Sequence, residues 1–154
     1  MASEQTTESS SLSRRPSILV ADDEPRLLKT LADLLRSRGF EVSEAHGGRQ
    51  ACEQLHRQAF DLALLDLNMP ELDGFQVMAE TGRLQPDCGV IVVSGESSFS
   101  TVSRALRRGA LDYIRKPFDP EELLATVEGV LGKQSLIRAH EMVQSRLEKS
   151  EAQI

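Results

Sequence analysis

Five residues of this chain carry side chains that could do chemistry together. Asp22 and Asp23 stand side by side, Asp66 closes an apolar run, Ser94 closes another, and Lys116 precedes a proline. Three carboxylates brought within a few ångströms repel one another, each pair costing up to about 4 kcal/mol at an effective dielectric near 20. A cation must sit among them if they meet. Oxygen ligands suit a hard divalent ion, and Mg²⁺ takes one or two protein carboxylates while keeping waters and a phosphate oxygen. Three aspartates, one Mg²⁺ and one lysine balance to zero formal charge, which leaves such a site ready for an anion. The ion, the Lys116 ammonium and the Ser94 hydroxyl could then stabilise charge developing on a phosphoryl group, with a carboxylate as nucleophile. Taken singly, an aspartate after a strand is an ordinary cap and a lysine before proline an ordinary surface residue.

Whether they meet depends on the elements that carry them. Ile18 to Ala21 is a short apolar run suited to a strand buried on both faces. Pro25 opens a helix whose apolar face is expected to hold Leu27, Leu31, Leu34 and Leu35, ending at Gly39. The pattern repeats: a strand over 41–45, a helix over 48–58, an apolar strand over 62–65 ending at Asp66, then a loop with Pro70 and Gly74 before a third helix. Strands over 90–93 and 111–114 flank a helix over 101–108. Asp119, Pro120, Glu121 and Glu122 supply a capping acceptor, a first-turn proline and two acids for a fifth helix. Strands alternating with helices need crossover connections, which give a parallel sheet covered on both faces. The fold class is a doubly wound five-stranded α/β sheet. Ligands in such sheets bind beyond the carboxyl ends of the strands, where Asp22, Asp23, Asp66, Ser94 and Lys116 all fall.

The segments ILVADDEP, LALLDLNMPELDG, VIVVSGES and LDYIRKPFDPEEL together resemble the response-regulator receiver family of two-component systems, over residues 17 to about 132. The resemblance implies a (βα)5, flavodoxin-like fold with Asp66 as phosphoacceptor. It also implies that Asp22, Asp23, Asp66 and the Asn68 backbone carbonyl organise Mg²⁺. By the same resemblance Ser94 is a switch hydroxyl, Tyr113 the switch aromatic, Lys116 the contact to the phosphoryl group, and Lys116–Pro117 a cis peptide. Asn68 and Glu96 occupy the positions that tune hydrolysis of the acyl phosphate in the family, where their side chains flank the attacking water. The implied donor is a phosphohistidine of a sensor histidine kinase or phosphotransfer protein, and the domain is a signalling module rather than an enzyme.

Composition agrees with that reading. Net charge is −6, so the chain offers no electrostatic footprint for nucleic acid. No apolar run approaches the roughly 20 residues of a membrane span, and the first residues lack the apolar stretch of a signal peptide, so the expected location is cytoplasmic. Cys52 and Cys88 are expected to be buried thiols, and His46, His56 and His140 to be surface residues rather than ligands. Residues 1–16 read as a disordered tail, 17–132 as the receiver, and 133–154 as a helical extension or linker. In that extension Leu136, His140, Val143, Leu147 and Ile154, with Ser150 weaker, fall at heptad spacing, which points to pairing with a second copy. Arg104, Arg107, Arg108 and Arg115 are expected on the surface of the fourth helix, fifth strand and fifth helix.

The extension is too short to be an effector domain, so the chain reads as the front of a larger regulator, with a stand-alone regulator or an unphosphorylated scaffold as alternatives. A dehalogenase-type phosphatase would want an aspartate where Asn68 stands, and a nucleotide-binding sheet a glycine-rich turn where ADDEPR stands.

Overall fold

The computed structural model describes residues 14–152. Most of the tail assigned to residues 1–16, and Ile154 of the heptad pattern, lie outside them. Residues 14–16 lead directly into the sheet, where Pro16 O accepts from the Glu41 backbone N–H at 3.0 Å.

Five strands form one sheet in the order β2-β1-β3-β4-β5, with every pair parallel: β1 (Ser17–Ala21), β2 (Glu41–Ala45), β3 (Leu62–Leu65), β4 (Gly89–Ser94) and β5 (Asp112–Arg115). Five helices alternate with them: α1 (Pro25–Ser37), α2 (Gly48–Arg57), α3 (Gly74–Leu84), α4 (Phe99–Arg107) and α5 (Pro120–Ala152). Side chains alternate across a strand, so the central strands serve two cores. Leu19, Ala21, Ala63, Leu65, Val90 and Val92 face Ala51 and Leu55 of α2, Val77 and Met78 of α3, and Ala105 of α4. Ile18, Val20, Leu62, Leu64, Ile91 and Val93 face Leu28, Leu31 and Leu35 of α1 and Leu123, Leu124, Val127 and Val130 of α5. Strands covered on both faces must be apolar throughout, which is why β1, β3 and β4 read as unbroken runs.

Some expectations shift. The buried stripe of α1 is Leu28, Leu31, Ala32 and Leu35. Leu27 and Leu34 flank it half-buried, because spacings of three and four residues from Leu28 select one face. β5 begins one residue later than expected. Leu111 donates its N–H to Val90 O at 2.7 Å, yet its side chain is exposed, because β5 is an edge strand and only partly covered. α4 begins at Phe99 because Ser98 caps it, its hydroxyl accepting from Thr101 N–H. α2 ends at Arg57, one residue early. Cys88 is buried, but Cys52 is only half-covered, since it stands at the margin of the α2–α3 packing. The three histidines are exposed as expected.

α5 runs unbroken through Gly132 for 33 residues, about 50 Å at 1.5 Å per residue. Its start is as the sequence predicts, with Asp119 Oδ1 accepting from the Glu121 N–H at 3.1 Å. No helix among the described residues is long and apolar enough to cross a membrane.

Candidate functional site

The carboxyl ends of β1, β3, β4 and β5 meet at one edge, and the five residues singled out by their chemistry converge there. Asp22 and Asp66 are only 1% and 5% exposed, Ser94 is fully buried, and Asp23 stands at the surface. One carboxylate oxygen from each of Asp22, Asp23 and Asp66 lies within 4.8 Å of the others. Lys116 Nζ joins two of them, donating to Asp22 Oδ2 at 2.7 Å and to Asp66 Oδ2 at 3.0 Å. Its backbone N–H donates to Ser94 O at 2.9 Å, which ties the lysine to the end of β4.

The remaining carboxylate oxygens are fixed by backbone. Asp22 Oδ1 accepts from the Glu24 N–H at 2.9 Å, and Asp66 Oδ1 from the Asn68 N–H at 3.2 Å. Ser94 Oγ accepts from the Glu96 N–H at 3.2 Å, and the Tyr113 hydroxyl donates to Glu96 O. The Lys116–Pro117 peptide is cis, as the family resemblance implies.

These neighbours set the protonation of the cluster. Burial pushes the Asp66 carboxyl above the ordinary carboxylate range, and the Asp22 charge adds to it. The Lys116 hydrogen bond and charge and the Asn68 N–H pull the other way without cancelling that effect. For Lys116, burial opposes the ammonium, but the hydrogen bonds and charges of Asp22 and Asp66 outweigh it and hold the lysine above its usual value. Burial, before any other cause, also raises Tyr113. With all three carboxylates ionised, the one lysine leaves them undercompensated, and the site carries a formal charge of −2.

Local packing shapes the loop that follows Asp66. A Cβ on Gly74 would lie 2.4 Å from Asp66 O, and one on Gly48 would lie 2.2 Å from Leu72 O, so both positions need glycine for close approach of backbone. Asp73 and Gln76 form a capping box that starts α3 at Gly74. An open cleft of about 770 Å³ reaches Asp66 and Lys116 between Leu27, Thr30, Gly95 and Phe118.

Residues 18–128 match the response regulator receiver domain family. This chain belongs to that family. The receiver is 43% identical over 122 residues to the transcriptional regulatory protein ZraR of Escherichia coli strain K12, covering 79% of this chain and 28% of that protein. It is 37% identical over 138 residues to the alginate biosynthesis transcriptional regulatory protein AlgB of Pseudomonas putida, covering 89% of this chain and 29% of that one. A solved CheY-like receiver domain from Methanospirillum hungatei superposes with a TM-score of 0.75 at 29% identity, over 79% of this chain and 97% of that domain. The receiver therefore spans under a third of the length of the two regulators. Receiver domains are phosphoacceptor signalling modules that bind Mg²⁺ in an acidic pocket.

Two features of the receiver escape the sequence reading. Thr101 donates its hydroxyl to Glu96 Oε2 at 3.3 Å, a contact that the Ser-x-x-Thr spacing at Ser98 and Thr101 could have flagged once a cap was placed there. The Arg104 guanidinium lies 3.9 Å from the centre of the Phe75 ring on α3, with Arg108 at 5.7 Å. Arg104, Arg107, Arg108 and Arg115 are all exposed as expected, and two of them reach the Phe75 ring on α3.

Proposed function

We propose that Asp66 accepts a phosphoryl group from a phosphohistidine on a sensor histidine kinase or phosphotransfer protein, and that the resulting acyl phosphate switches the receiver's contacts. The observation that carries this reading is Lys116 Nζ shared between buried Asp22 and Asp66 beside Asp23. A nucleophilic carboxylate there stands at hydrogen-bond distance from an ammonium able to follow charge onto the incoming group.

The donor set fits a hard divalent cation, because every donor is an oxygen and the carboxylates outnumber the lysine. Asp22, Asp23, Asp66 and the Asn68 carbonyl, which accepts no hydrogen bond among the described residues, would hold Mg²⁺. When bound, the ion neutralises charge on the phosphoryl oxygens. Asp66 supplies the attacking oxygen, oriented by the Asn68 N–H. Lys116 holds that carboxylate in line and screens it from Asp22. Ser94, whose hydroxyl now accepts from Glu96 N–H, turns to donate to the phosphate. That movement frees the Glu96 backbone N–H and lets the Tyr113 ring, whose hydroxyl now donates to Glu96 O, move inward, biasing a pre-existing equilibrium. Asn68 and Glu96, hydrogen-bonded to each other at 3.3 Å beside the cleft, flank the water that ends the signal.

Residues 17–132 act as the phosphorylated unit and 133–154 as the helical linker through which two copies pair. In a larger cytoplasmic regulator that linker would lead to an effector domain; ZraR and AlgB are both named as transcriptional regulators. With a net charge of −6 the chain offers no electrostatic footprint for direct contact with nucleic acid.

The test is incubation of the full chain with acetyl phosphate and Mg²⁺, read by intact mass. Wild type gains one phosphoryl group, while Asp66→Asn and wild type in excess EDTA gain none. An unmodified wild type, or an equal adduct on Asp66→Asn, refutes the proposal.

A further inference from the structure

The Glu96 carboxylate is gripped on both oxygens. Asn68 Nδ2 donates to Oε1 at 3.3 Å, and Thr101 Oγ1 donates to Oε2 at 3.3 Å. Thr101 is fixed in turn, because Ser98 Oγ donates to its Oγ1 at 2.8 Å and accepts its backbone N–H at 3.3 Å. A chain of hydroxyl groups therefore runs from the cap of α4 to a carboxylate that also touches the loop after Asp66. Asn68, Glu96 and Thr101 line one cleft of about 500 Å³, and Asn68 also lines the larger cleft that holds Asp66 and Lys116. An exposed glutamate with neither partner would spread over many rotamers, and a group that places a water must be held still.

We propose that Thr101 is a positioning residue for hydrolysis of the Asp66 acyl phosphate, acting through the carboxylate of Glu96. The proposal rests on the phosphoacceptor reading and on the assignment of Asn68 and Glu96 to the attacking water. In the reaction the water oxygen bonds to phosphorus as the bond from phosphorus to the Asp66 oxygen breaks. The electron pair of the broken bond returns to the aspartate carboxylate. Inorganic phosphate leaves as H₂PO₄⁻ with both water hydrogens, so the two negative charges of the acyl phosphate divide between carboxylate and product. Thr101 touches none of the reacting atoms. It fixes the one Glu96 oxygen that Asn68 does not hold, and so keeps the carboxylate beside the path of the water.

The experiment phosphorylates the full chain with acetyl phosphate and Mg²⁺, removes the donor, and follows decay of the adduct by intact mass. Thr101→Val keeps the shape of the side chain and deletes the hydroxyl; it should slow decay about fivefold, the rate equivalent of one net hydrogen bond. Thr101→Ser restores the hydroxyl and should return decay to within about twofold of wild type. In a Glu96→Ala background the Thr101→Val change should have no further effect, because the carboxylate it positions is gone. Equal decay of Thr101→Val and wild type overturns the proposal. So does a slowing that persists undiminished without Glu96, or a Thr101→Ser chain as slow as Thr101→Val. A wild type that never takes a phosphoryl group removes the phosphoacceptor reading itself, and with it this role for Thr101.

Discussion

Lys116, half-buried, and Cys88, buried, show how differently two side chains respond to charge at opposite ends of one sheet. Lys116 is a charged group kept charged, because two carboxylates that are almost wholly buried would lose their only ammonium without it, and an unpaired buried charge is among the most destabilising changes available to a fold. Cys88 sits just before β4 and is kept neutral: burial, and then the negative charge of Asp61, push its thiol up to about 12 against a weaker pull from Arg138. An unfolded thiol ionises near 8.5, so on raising the pH the unfolded chain loses its proton first. The stabilising effect of the neutral thiol is therefore complete below about pH 8.5 and is lost progressively from there towards pH 12, at up to about 1.4 kcal/mol per pH unit. Urea unfolding of wild type and Cys88→Ala between about pH 7 and pH 10.5 should show wild type losing stability more steeply above about pH 9. Parallel pH profiles would refute this account of the thiol. The acidic residues and Lys116 were legible from the sequence because each follows directly on a strand, so topology alone brings them together. Thr101 was not, because its contact depends on Ser98 starting α4 two residues before the apolar pattern does.

Elements were legible where burial is two-sided and blurred where it is not. β1, β3 and β4 pack against helices on both faces, so an unbroken apolar run marks them. β5 lies at the sheet edge with a burial pattern of exposed ends and a half-buried middle, and Leu111 drew the expected strand one residue forward. The loop between β3 and α3 shows the same limit in its packing. Nothing local in the sequence says that α2 presses its first turn against Leu72, yet that contact explains why Gly48 has no side chain. Gly48→Ala forces backbone apart and should cost about 1–3 kcal/mol, the range for overpacking. It should also slow uptake of the phosphoryl group, because Asp66, Asn68 and Leu72 share that loop. Gly82 is the internal control. It lies within α3 with open space where a Cβ would go, so Gly82→Ala should add about 0.5–1 kcal/mol through helix propensity. Thermal melts of the two variants should move in opposite directions, and a Gly48→Ala chain as stable as wild type would show that the loop yields more easily than its backbone contacts imply.

At the scale of the whole molecule, α5 is two structures joined without a break. As far as Arg138 it is anchored to the body of the receiver. Val127 and Val130 lie in the core, Gln134 packs over Gly89, and Arg138 reaches Asp87 O at 3.1 Å and Asp61 Oδ1 at 3.6 Å. Contacts of α5 with the body therefore continue past Gly132, because Gln134 and Arg138 still touch the starts of β3 and β4. Beyond Arg138 the helix leaves the body, where Val143 and Leu147 stay exposed, as Leu136 does before it. At about 100° per residue, Leu136 points about 180° away from Val127, so Leu136, Val143 and Leu147 face outward, where the proposed pairing with a second copy would use them. A chain ending at Ala139 should then separate the two roles. It keeps the anchor and should melt with the full chain, whereas a chain ending at Gly132 loses Gln134 and Arg138 and should be weaker by about 1 kcal/mol. The loss is modest because the Arg138 pair is half exposed. In sedimentation the full chain should be a dimer and both shorter chains monomers, since only the full chain retains Val143 and Leu147. If the chain ending at Ala139 melts with the one ending at Gly132, the anchor has no stabilising role; if it sediments with the full chain, pairing does not run through the outward stripe.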